Sequence, residues 1–341
     1  MPEPIAEPVP PHDGRLCLLQ VHAHPDDEAS KGAGTTAKYS ADGVHCVLVC
    51  CTGGEAGDIL NPAVEHPGSP EAMHELRMAE LRESVRVLGY DSLRMLGYLD
   101  SGMPDTEPNA HPDNFANAPL DEAVGRLVAI IRAERPQVIL TYREDRNFYP
   151  HPDHIRVHEI SVPAFELAGD PDAYPEMGEP WQPAKLYYVG WSIARVKALH
   201  EAYLRRGDES PYESWFERGF GDGRTDDFTT LIDVGEHLHQ RRAALLAHRT
   251  QVDPNGFWMR LPDDIVREVF PWEEFVLAGS LVEEKIFAIP GLGVHLVESV
   301  TQRDYTLAMA LTMLYTVLLC GMTLLVDMLY TVLDPRIKLD A

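Results

Sequence analysis

The fold of this chain is decided by Val21-His22-Ala23-His24-Pro25-Asp26-Asp27-Glu28, which stands at the end of the apolar run Leu16-Cys17-Leu18-Leu19-Gln20-Val21. An apolar run that leads into a helix-like segment predicts a buried strand followed by a βα loop. Open α/β sheets bind their ligands at the carboxyl ends of the strands. We therefore expect the acidic and imidazole side chains of this stretch to lie at a binding edge of the sheet.

A second polar motif, Tyr149-Pro150-His151-Pro152-Asp153-His154, follows another apolar run and precedes a helical pattern. Together, His24, Asp27 and His154 offer two imidazoles and one carboxylate, a ligand set suited to Zn²⁺ or Fe²⁺ that leaves positions open for water and substrate. Asp26 cannot easily turn to the same metal as Asp27, so it is left free as a base. Either motif alone is equally well explained as a turn with an aspartate cap, and the pair favours a site.

Further loops are expected at the same edge of the sheet. His151 stands just before the helix of the second motif and should face the same cavity. The glycine-containing loop Thr52–Asp58, which includes Glu55, permits close approach of the backbone to a ligand, with a plain surface connection as the alternative. Asp100 follows a short strand and is a candidate site carboxylate, with turn capping an almost equal alternative. His111-Pro112-Asp113 repeats the triplet without a preceding strand, and we interpret it as a loop outside the site.

Alternation of apolar runs with amphipathic segments predicts an α/β fold. Such alternation requires right-handed crossovers and a mostly parallel sheet with helices on both faces. Strands are predicted at 16–21, 44–51, 92–96, 137–142, 184–190 and 231–233. Helices are predicted at 31–42, 69–88, 120–134, from 153 onward and at 234–248. On the last of these helices, His237, His239 and His248 are interpreted as solvated.

Composition restricts the class of partner. The formal net charge of −25 over 341 residues is spread along the chain, and without a basic stripe it argues against nucleic acid or an anionic membrane surface. A small polar substrate fits better. The five cysteines form no CxxC pair, which favours a reducing, cytoplasmic compartment. The proline-rich residues 1–13 lack the features of a signal peptide and are predicted to be a disordered leader.

The end of the chain differs from the rest. Residues 307–326 are uncharged and mostly apolar, which is long enough for a helix to cross a bilayer. We therefore predict a C-terminal hydrophobic helix there as a candidate membrane anchor. The charges around this segment weakly favour a cytoplasmic C-terminus. A single span would then place the N-terminal domain outside the cytoplasm, which conflicts with the predicted cytoplasmic location of that domain.

Residues 15 to about 278 resemble the LmbE-like, or PIG-L type, metal-dependent N-deacetylases, and most closely the mycothiol S-conjugate amidase branch of that family. The resemblance implies the Rossmann-like fold of the family. The motifs that carry it are Ala23–Glu28, Cys51-Thr52-Gly53-Gly54-Glu55, Asp100-Ser101-Gly102, Tyr149–His154 and Thr250-Gln251-Val252-Asp253-Pro254.

The resemblance also implies a role for each residue of these motifs. His24, Asp27 and His154 would bind zinc, Asp26 would be the general base, and His151 would stabilise the oxyanion or act as an acid.

Other residues are implied to lie near the substrate. Tyr149, Asp100 and Arg77 match positions that the family uses there. Lys31, just past the first motif, is expected to touch the acyl or inositol part of the substrate, although a solvated lysine is the commoner alternative. Glu55, within the second quoted motif, is expected on the substrate side as well.

The implied function is hydrolysis of the amide of a mycothiol S-conjugate between its N-acylcysteine and glucosaminyl-inositol parts. The alternative within the family is deacetylation of N-acetylglucosaminyl-inositol. Two other classes stay open at this point: a sugar-binding module without catalysis, and a membrane-transport component. The transport component is considered because residues from about 279 resemble the end of an oligopeptide ABC-transporter permease. The chain is therefore predicted to consist of an enzyme domain at 14–278 and a tail at 279–341.

Overall fold

The computed structural model describes residues 14–146, 149–221 and 227–282, with the backbone alone for Phe257 and Trp258. The compact unit that contains the described residues up to 281 ends at Leu281. No helix in the described part of the chain is long and apolar enough to cross a membrane. The predicted leader at 1–13 and the predicted hydrophobic helix at 307–326 lie outside the described residues.

A seven-stranded sheet forms the centre of the fold, in the order β3-β2-β1-β4-β5-β7-β6. The first five strands along this order pair in parallel, whereas β7 pairs antiparallel with both β5 and β6. The predicted α/β class is confirmed, and the sheet is mixed because of its last two strands. The strands are β1 Cys17–His22, β2 His45–Thr52, β3 Ser92–Tyr98, β4 Val138–Tyr142, β5 Lys185–Gly190, β6 Thr230–Asp233 and β7 Trp272–Ser280.

Helices cover both faces of this sheet. They are α1 Asp27–Ser30, α2 Ala33–Ala41, α3 Pro70–Leu88, α4 Leu120–Glu134, α5 Pro152–Leu167, α6 Ile193–Arg206, α7 Glu213–Glu217, α8 Leu238–Ala247, α9 Phe257–Arg260 and α10 Asp263–Val269. Successive residues of a strand point to opposite faces. Accordingly, Leu19 of β1 packs in one core with Ile131 of α4 and Ile160 of α5, while Leu18 packs in another with Leu81 of α3 and Leu245 of α8.

The predicted helix at 31–42 is wrong at its start. The helical turn α1 already begins at Asp27, and Lys31 is extended at its end. Gly32 then adopts a φ of 78° before α2 begins, a left-handed conformation that glycine takes at little cost. The break separates the motif residues of α1 from α2 and leaves Lys31 free to turn toward Asp27.

Strand β7 is not among the predicted strands. Its first half contains Glu273 and Glu274, which are 4% and 1% exposed, so the apolar run Phe275-Val276-Leu277-Ala278 covers only part of the strand. Glu273 accepts hydrogen bonds from the backbone N–H groups of Gly34 and Thr35 at the start of α2. Glu274 pairs with Arg195 at 3.0 Å. Burial of these carboxylates is stabilised by distant partners, which a local pattern does not reveal. The domain boundary predicted after residue 278 stays a prediction, and β7 continues to Ser280.

The neighbouring strands β1 and β4 bring the two polar motifs together. Gln20 of β1 is paired with Leu140 of β4, so the carboxyl ends of these strands lie side by side. There, Nδ1 of His22 is 2.8 Å from the hydroxyl oxygen of Tyr142. The first motif follows β1 directly and the second opens α5 after β4, which explains how residues more than a hundred positions apart share one site.

Candidate metal centre and active site

The second motif is positioned by the start of α5. His151 is the N-cap residue, and its Nδ1 accepts a hydrogen bond from the backbone N–H of Asp153 at 3.2 Å. Pro152 occupies the first turn, where its missing N–H costs nothing. His154 therefore lies on the first turn of the helix and points back toward the end of β1.

The three predicted ligands form a buried cluster. Oδ2 of Asp27 lies 3.5 Å from Nδ1 of His24 and 3.3 Å from Nε2 of His154. One atom from each residue falls within 4.8 Å of the others, the spacing of ligands around a single ion. The side chains are at most 10% exposed. The described residues thus bring together the predicted set of two imidazoles and one carboxylate.

Partners of His24 fix the orientation of its ring. Nε2 lies 3.1 Å from Oδ2 of Asp153 and 3.6 Å from Oδ1 of Asp100. Asp153 in turn accepts hydrogen bonds from the backbone N–H and the hydroxyl of Ser101. With its Nε2 proton donated to Asp153, His24 presents the lone pair of Nδ1 toward Asp27, which is the arrangement that orients a metal-binding histidine. Asp153 also lies near His24 and His151, but its oxygens are already used in these hydrogen bonds.

The electrostatics of the cluster favour a cation. Burial alone would lower the pKa of His24, but Asp100, Asp153 and Asp27 outweigh it and raise that pKa well above 6.5. Burial would raise the pKa of Asp27, and Lys31 and His154 hold it well below its usual range. Carboxylates that attract a proton onto His24 attract a divalent cation by the same field. Burial lowers the pKa of His154 to about 4, so this imidazole is neutral and available as a ligand.

Asp26 lies beside the cluster without belonging to it. Its backbone φ of 111° is unusual for a residue with a side chain. Oδ2 of Asp26 accepts a hydrogen bond from Nη2 of Arg77 at 2.9 Å. Burial, together with the charge of Asp27, raises the pKa of Asp26 although Arg77 opposes the shift. A carboxylate with a raised pKa next to a cation site is suited to act as a general base.

The residues that the resemblance placed near the substrate fall in different positions. Arg77 is 3% exposed and donates to the carbonyl oxygens of Pro25 and Gly54 as well as to Asp26. Asp100 is buried beside His24, and its backbone N–H donates to Oε1 of Glu55 at 2.9 Å. Glu55 thus supports the loop that carries Asp100.

Two other predicted residues lie at the opening of the site. Nζ of Lys31 is 2.6 Å from Oδ1 of Asp27, so this lysine is paired with a candidate ligand rather than solvated. Tyr149 is 50% exposed, and its ring centroid is 4.9 Å from that of His154 in an edge-to-face contact. His151 is buried, with its ring centroid 4.6 Å from that of His24.

Sequence reasoning missed several functional neighbours. The sequence pattern predicts only the start of a helix at Asp153, although an aspartate between two histidines is itself a signal. The interpretation of His248 as solvated is wrong, because this residue is fully buried and pairs with Glu28 at 2.6 Å. Glu28 also accepts a hydrogen bond from the backbone N–H of Asp26. Nothing local in the sequence links positions 28 and 248.

A cavity of about 420 Å³ opens from the cluster. Its polar lining includes Asp26, Asp27, Lys31, Tyr149 and His154 beside the cluster. Most of its remaining surface is apolar and aromatic. A volume of this order is typical of sites for small molecules.

Comparison with known proteins identifies the family. Residues 19–165 match PIG-L, described as GlcNAc-PI de-N-acetylase. Over 279 residues the chain is 47% identical to the mycothiol S-conjugate amidase of Streptomyces coelicolor, which covers 80% of this chain and 94% of that protein. The chain belongs to the PIG-L family. This PIG-L chain is also 39% identical, over 79% of its length and 96% of the relative, to a 1D-myo-inositol 2-acetamido-2-deoxy-alpha-D-glucopyranoside deacetylase of Streptomyces avermitilis. These relatives confirm the predicted family and enzyme class.

Solved structures agree on the fold. The N,N'-diacetylchitobiose deacetylase of Pyrococcus horikoshii matches this PIG-L chain with a TM-score of 0.54 and 18% identity, over 78% of this chain and 85% of that one. A conserved protein of Thermus thermophilus matches with a TM-score of 0.51 and 25% identity, over 79% and 97%. The first likeness concerns the fold alone.

The tail matches a different family. Residues 274–339 match a family described as binding-protein-dependent transport system inner membrane component, which confirms the predicted resemblance of the tail to a transporter permease. The match begins within β7, and residues 283–341 lie outside the described part of the chain.

Proposed function

We propose that this chain is a metal-dependent hydrolase that cleaves the amide of mycothiol S-conjugates and releases an N-acylcysteine S-conjugate and glucosaminyl-inositol. The observation that carries the proposal is the cluster of His24, Asp27 and His154 with the unligated carboxylate of Asp26 beside it. Identity of 47% to an amidase of this name supports the choice of substrate.

The cluster would hold one divalent metal ion, for which we propose Zn²⁺ with Fe²⁺ as the alternative. Two imidazoles and a carboxylate suit either ion. When bound, such an ion polarises the acyl carbonyl and makes water more acidic. Lys31, paired with the far oxygen of Asp27, would keep Oδ2 of that carboxylate directed at the ion.

The protein groups then divide the proton transfers. Asp26 accepts the proton that water loses as its oxygen bonds to the acyl carbon. Burial and the nearby His24 lower the pKa of His151, so its ring is neutral. Because Nδ1 of His151 accepts from the N–H of Asp153, the proton of the neutral ring lies on Nε2, from which it would donate to the developing oxyanion. The leaving amine takes a proton from Asp26 or His151.

Substitution of Asp26 tests the hydrolase against a sugar-binding module without catalysis. We expect Asp26→Asn to lower turnover by about 10²- to 10⁴-fold, the range for a lost general base, with the metal content unchanged. The matched control is Asp113→Asn, which alters an exposed aspartate of a second His-Pro-Asp triplet. Amide hydrolysis by full-length protein and metal content by mass spectrometry are measured on the same samples. Equal turnover in Asp26→Asn and the parent protein would contradict the proposal.

The second candidate function is deacetylation of N-acetylglucosaminyl-inositol, which the 39% identical deacetylase supports. The two are separated by kcat/KM on a mycothiol S-conjugate and on the N-acetyl sugar. We expect the S-conjugate to be the better substrate, and a large preference for the acetyl sugar would reverse the assignment.

The cytoplasmic location, the domain boundaries and the membrane anchor at 307–326 stay predictions.

A further inference from the structure

One part of the cavity is lined by aromatic and aliphatic side chains, unlike the polar part at the metal cluster. We call it the aromatic wall, and it consists of Tyr188, Trp191, Trp215, Phe220, Phe228 and Val276. The ring centroids of Trp191 and Trp215 are 5.6 Å apart, as are those of Trp215 and Phe220. Such spacing is typical of rings that pack at an angle.

We propose that the aromatic wall binds the apolar substituent carried by the sulfur of the substrate, and that it favours flat, aromatic substituents. This rests on the proposed function, since only an S-conjugate carries such a group. The wall and the cluster line one continuous cavity, in which Asp27 and His154 meet the same space as Trp215 and Phe228. A substrate whose amide lies at the cluster can therefore extend to the wall without crossing protein.

Three of the polar side chains that line the cavity already have partners within the protein. Lys31 is paired with Asp27 at 2.6 Å. Nη1 and Nη2 of Arg143 both donate to the carboxylate of Asp227. The side-chain amide of Gln251 donates to the carbonyl oxygen of Asp58 at 2.8 Å. Sugar hydroxyl groups buried against the aromatic wall would lose their hydrogen bonds to water without full replacement, which is costly. The polyol half of the substrate is therefore disfavoured at the wall.

Two further carboxylates near the cluster lie outside the lining of the cavity. Asp100 is 3.6 Å from His24 and is supported by Glu55, and neither residue belongs to the lining of the cavity. An S-conjugate has a polyhydroxylated amine on one side of its amide and a thioether on the other. We infer that the acyl half, with its sulfur substituent, points toward the wall.

The wall is formed by segments that differ in origin from the metal motifs. Trp191 follows β5, Trp215 belongs to α7, and Val276 lies on β7, where it pairs with Tyr188. Gly190 lets the ring of Phe228 lie over β5, because a Cβ at this position would fall 3.0 Å from Cζ of that ring. Selectivity for the substituent is thus separable from the chemistry at the cluster.

The experiment compares full-length protein on mycothiol S-conjugates that carry a methyl, a benzyl or a bicyclic aromatic group on sulfur. For the parent protein we expect kcat/KM to rise roughly tenfold or more from methyl to bicyclic, the scale of an apolar pocket contact. Val276→Phe fills the wall and should lower the ratio of bicyclic to methyl kcat/KM about tenfold. Phe228→Ala should lower the same ratio by removing a contact.

Trp272→Ala is the matched control, because Trp272 is an aromatic residue of the same strand β7 that does not line the cavity; it should leave the ratio unchanged. Thermal unfolding of each variant confirms that it folds. Two results would overturn the inference while the amidase function stands. One is a kcat/KM of the parent protein that does not change from the methyl to the bicyclic conjugate. The other is an equal loss of kcat/KM on the methyl and bicyclic conjugates in both wall variants. Absence of amide hydrolysis on every conjugate overturns the proposed function instead.

Discussion

Nη2 of Arg77 donates to the carboxylate of Asp26 at 2.9 Å and also to the carbonyl oxygen of Pro25, the residue before it. Nη1 of the same guanidinium donates to the carbonyl oxygen of Gly54 at 2.8 Å. One buried arginine thus ties the loop after β1 to the loop after β2 and holds Asp26 in its strained conformation. A φ of 111° is maintained only where the surroundings enforce it. Arg77 is therefore a positioning residue for the proposed base.

Replacement of Arg77 by methionine should lower kcat about a hundredfold, because a small displacement of a catalytic group has an effect of that order. KM should change little, since the substrate is not the main partner of the guanidinium. Steady-state kinetics and metal content check this, and the metal should be retained. Arg86→Met is the control on the same helix α3, where Arg86 is exposed and pairs with Glu83. A rise in KM with unchanged kcat would instead make Arg77 a direct substrate contact.

The buried pair of Glu28 and His248 should contribute strongly to stability. Both side chains have no exposed surface, and the hydroxyl of Ser84 also donates to Glu28. Removal of one partner leaves an uncompensated buried charge, so His248→Ala is expected to lower the free energy of unfolding by about 3–5 kcal/mol. Urea denaturation measures this.

Two comparisons sharpen the test of this pair. His248→Gln keeps a donor for Glu28 and should recover part of the loss. The control is Arg205→Ala, which breaks an exposed ion pair with Glu201 and should change stability by about 1 kcal/mol or less. A similar small effect for His248→Ala would mean that the pair adds nothing beyond packing.

Local sequence predicted the elements whose signals are local. The amphipathic pattern placed α4 at Leu120–Glu134, as observed, and Ser69 caps α3 by accepting from the N–H of Ala72. The motif His-Pro-Asp shows the limit of such signals. Nδ1 of His111 accepts from the N–H of Asp113 at 3.1 Å, the same turn that His151 forms with Asp153 at 3.2 Å. The same triplet folds alike at both places, and only the strand before it decides whether it reaches a site.

Features that depend on distant partners could not be predicted in this way. The charged residues Glu273 and Glu274 prevent the prediction of β7, because their burial depends on the distant partners Gly34 and Arg195. The role of Glu28 depends on His248, which lies 220 positions later. The meeting of the two polar motifs at the carboxyl edge of the sheet was a long-range relationship that the rule for open α/β sheets supplied. The structure explains it by the pairing of β1 with β4. The aromatic wall comes from segments that carried no recognised motif.

Arg132 should control the loop that follows α5. This buried residue of α4 donates to the carbonyl oxygens of Ala168, Asp170, Ala173 and Tyr174 at 2.6–3.0 Å. Arg132→Leu leaves these acceptors without their donor, and a loss of about 3 kcal/mol or more in unfolding free energy is expected from several charged hydrogen bonds. Amide hydrogen exchange should accelerate selectively in 168–178.

The control for this prediction is Glu122→Gln in the exposed first turn of α4, where the side chain pairs with Arg126. It should leave both stability and exchange nearly unchanged. If Arg132→Leu destabilised the protein without faster exchange in the loop, the arginine would support the core rather than the loop.

Glu134 should make stability depend on pH at the end of the sheet opposite the site. Burial alone would raise the pKa of this carboxyl, but hydrogen bonds from His45, Arg94 and Ser92 outweigh it and lower the pKa below its ordinary value of 4.5. A carboxylate with a lowered pKa in the folded state contributes stability above its unfolded pKa, and that contribution is lost as pH falls through the folded value.

Urea unfolding at a series of pH values checks this contribution. The parent protein should lose stability as pH falls below about 4.5, the ordinary value of the carboxyl, and Glu134→Gln should show a shallower loss because it has no proton to gain there. The variant should be less stable than the parent near neutral pH, where the parent carboxylate is ionised and paired with Arg94 at 2.7 Å. Glu75→Gln, at an exposed position of α3, should follow the parent curve. Parallel curves for Glu134→Gln and the parent would show that this carboxyl has the same pKa in the folded and unfolded chain.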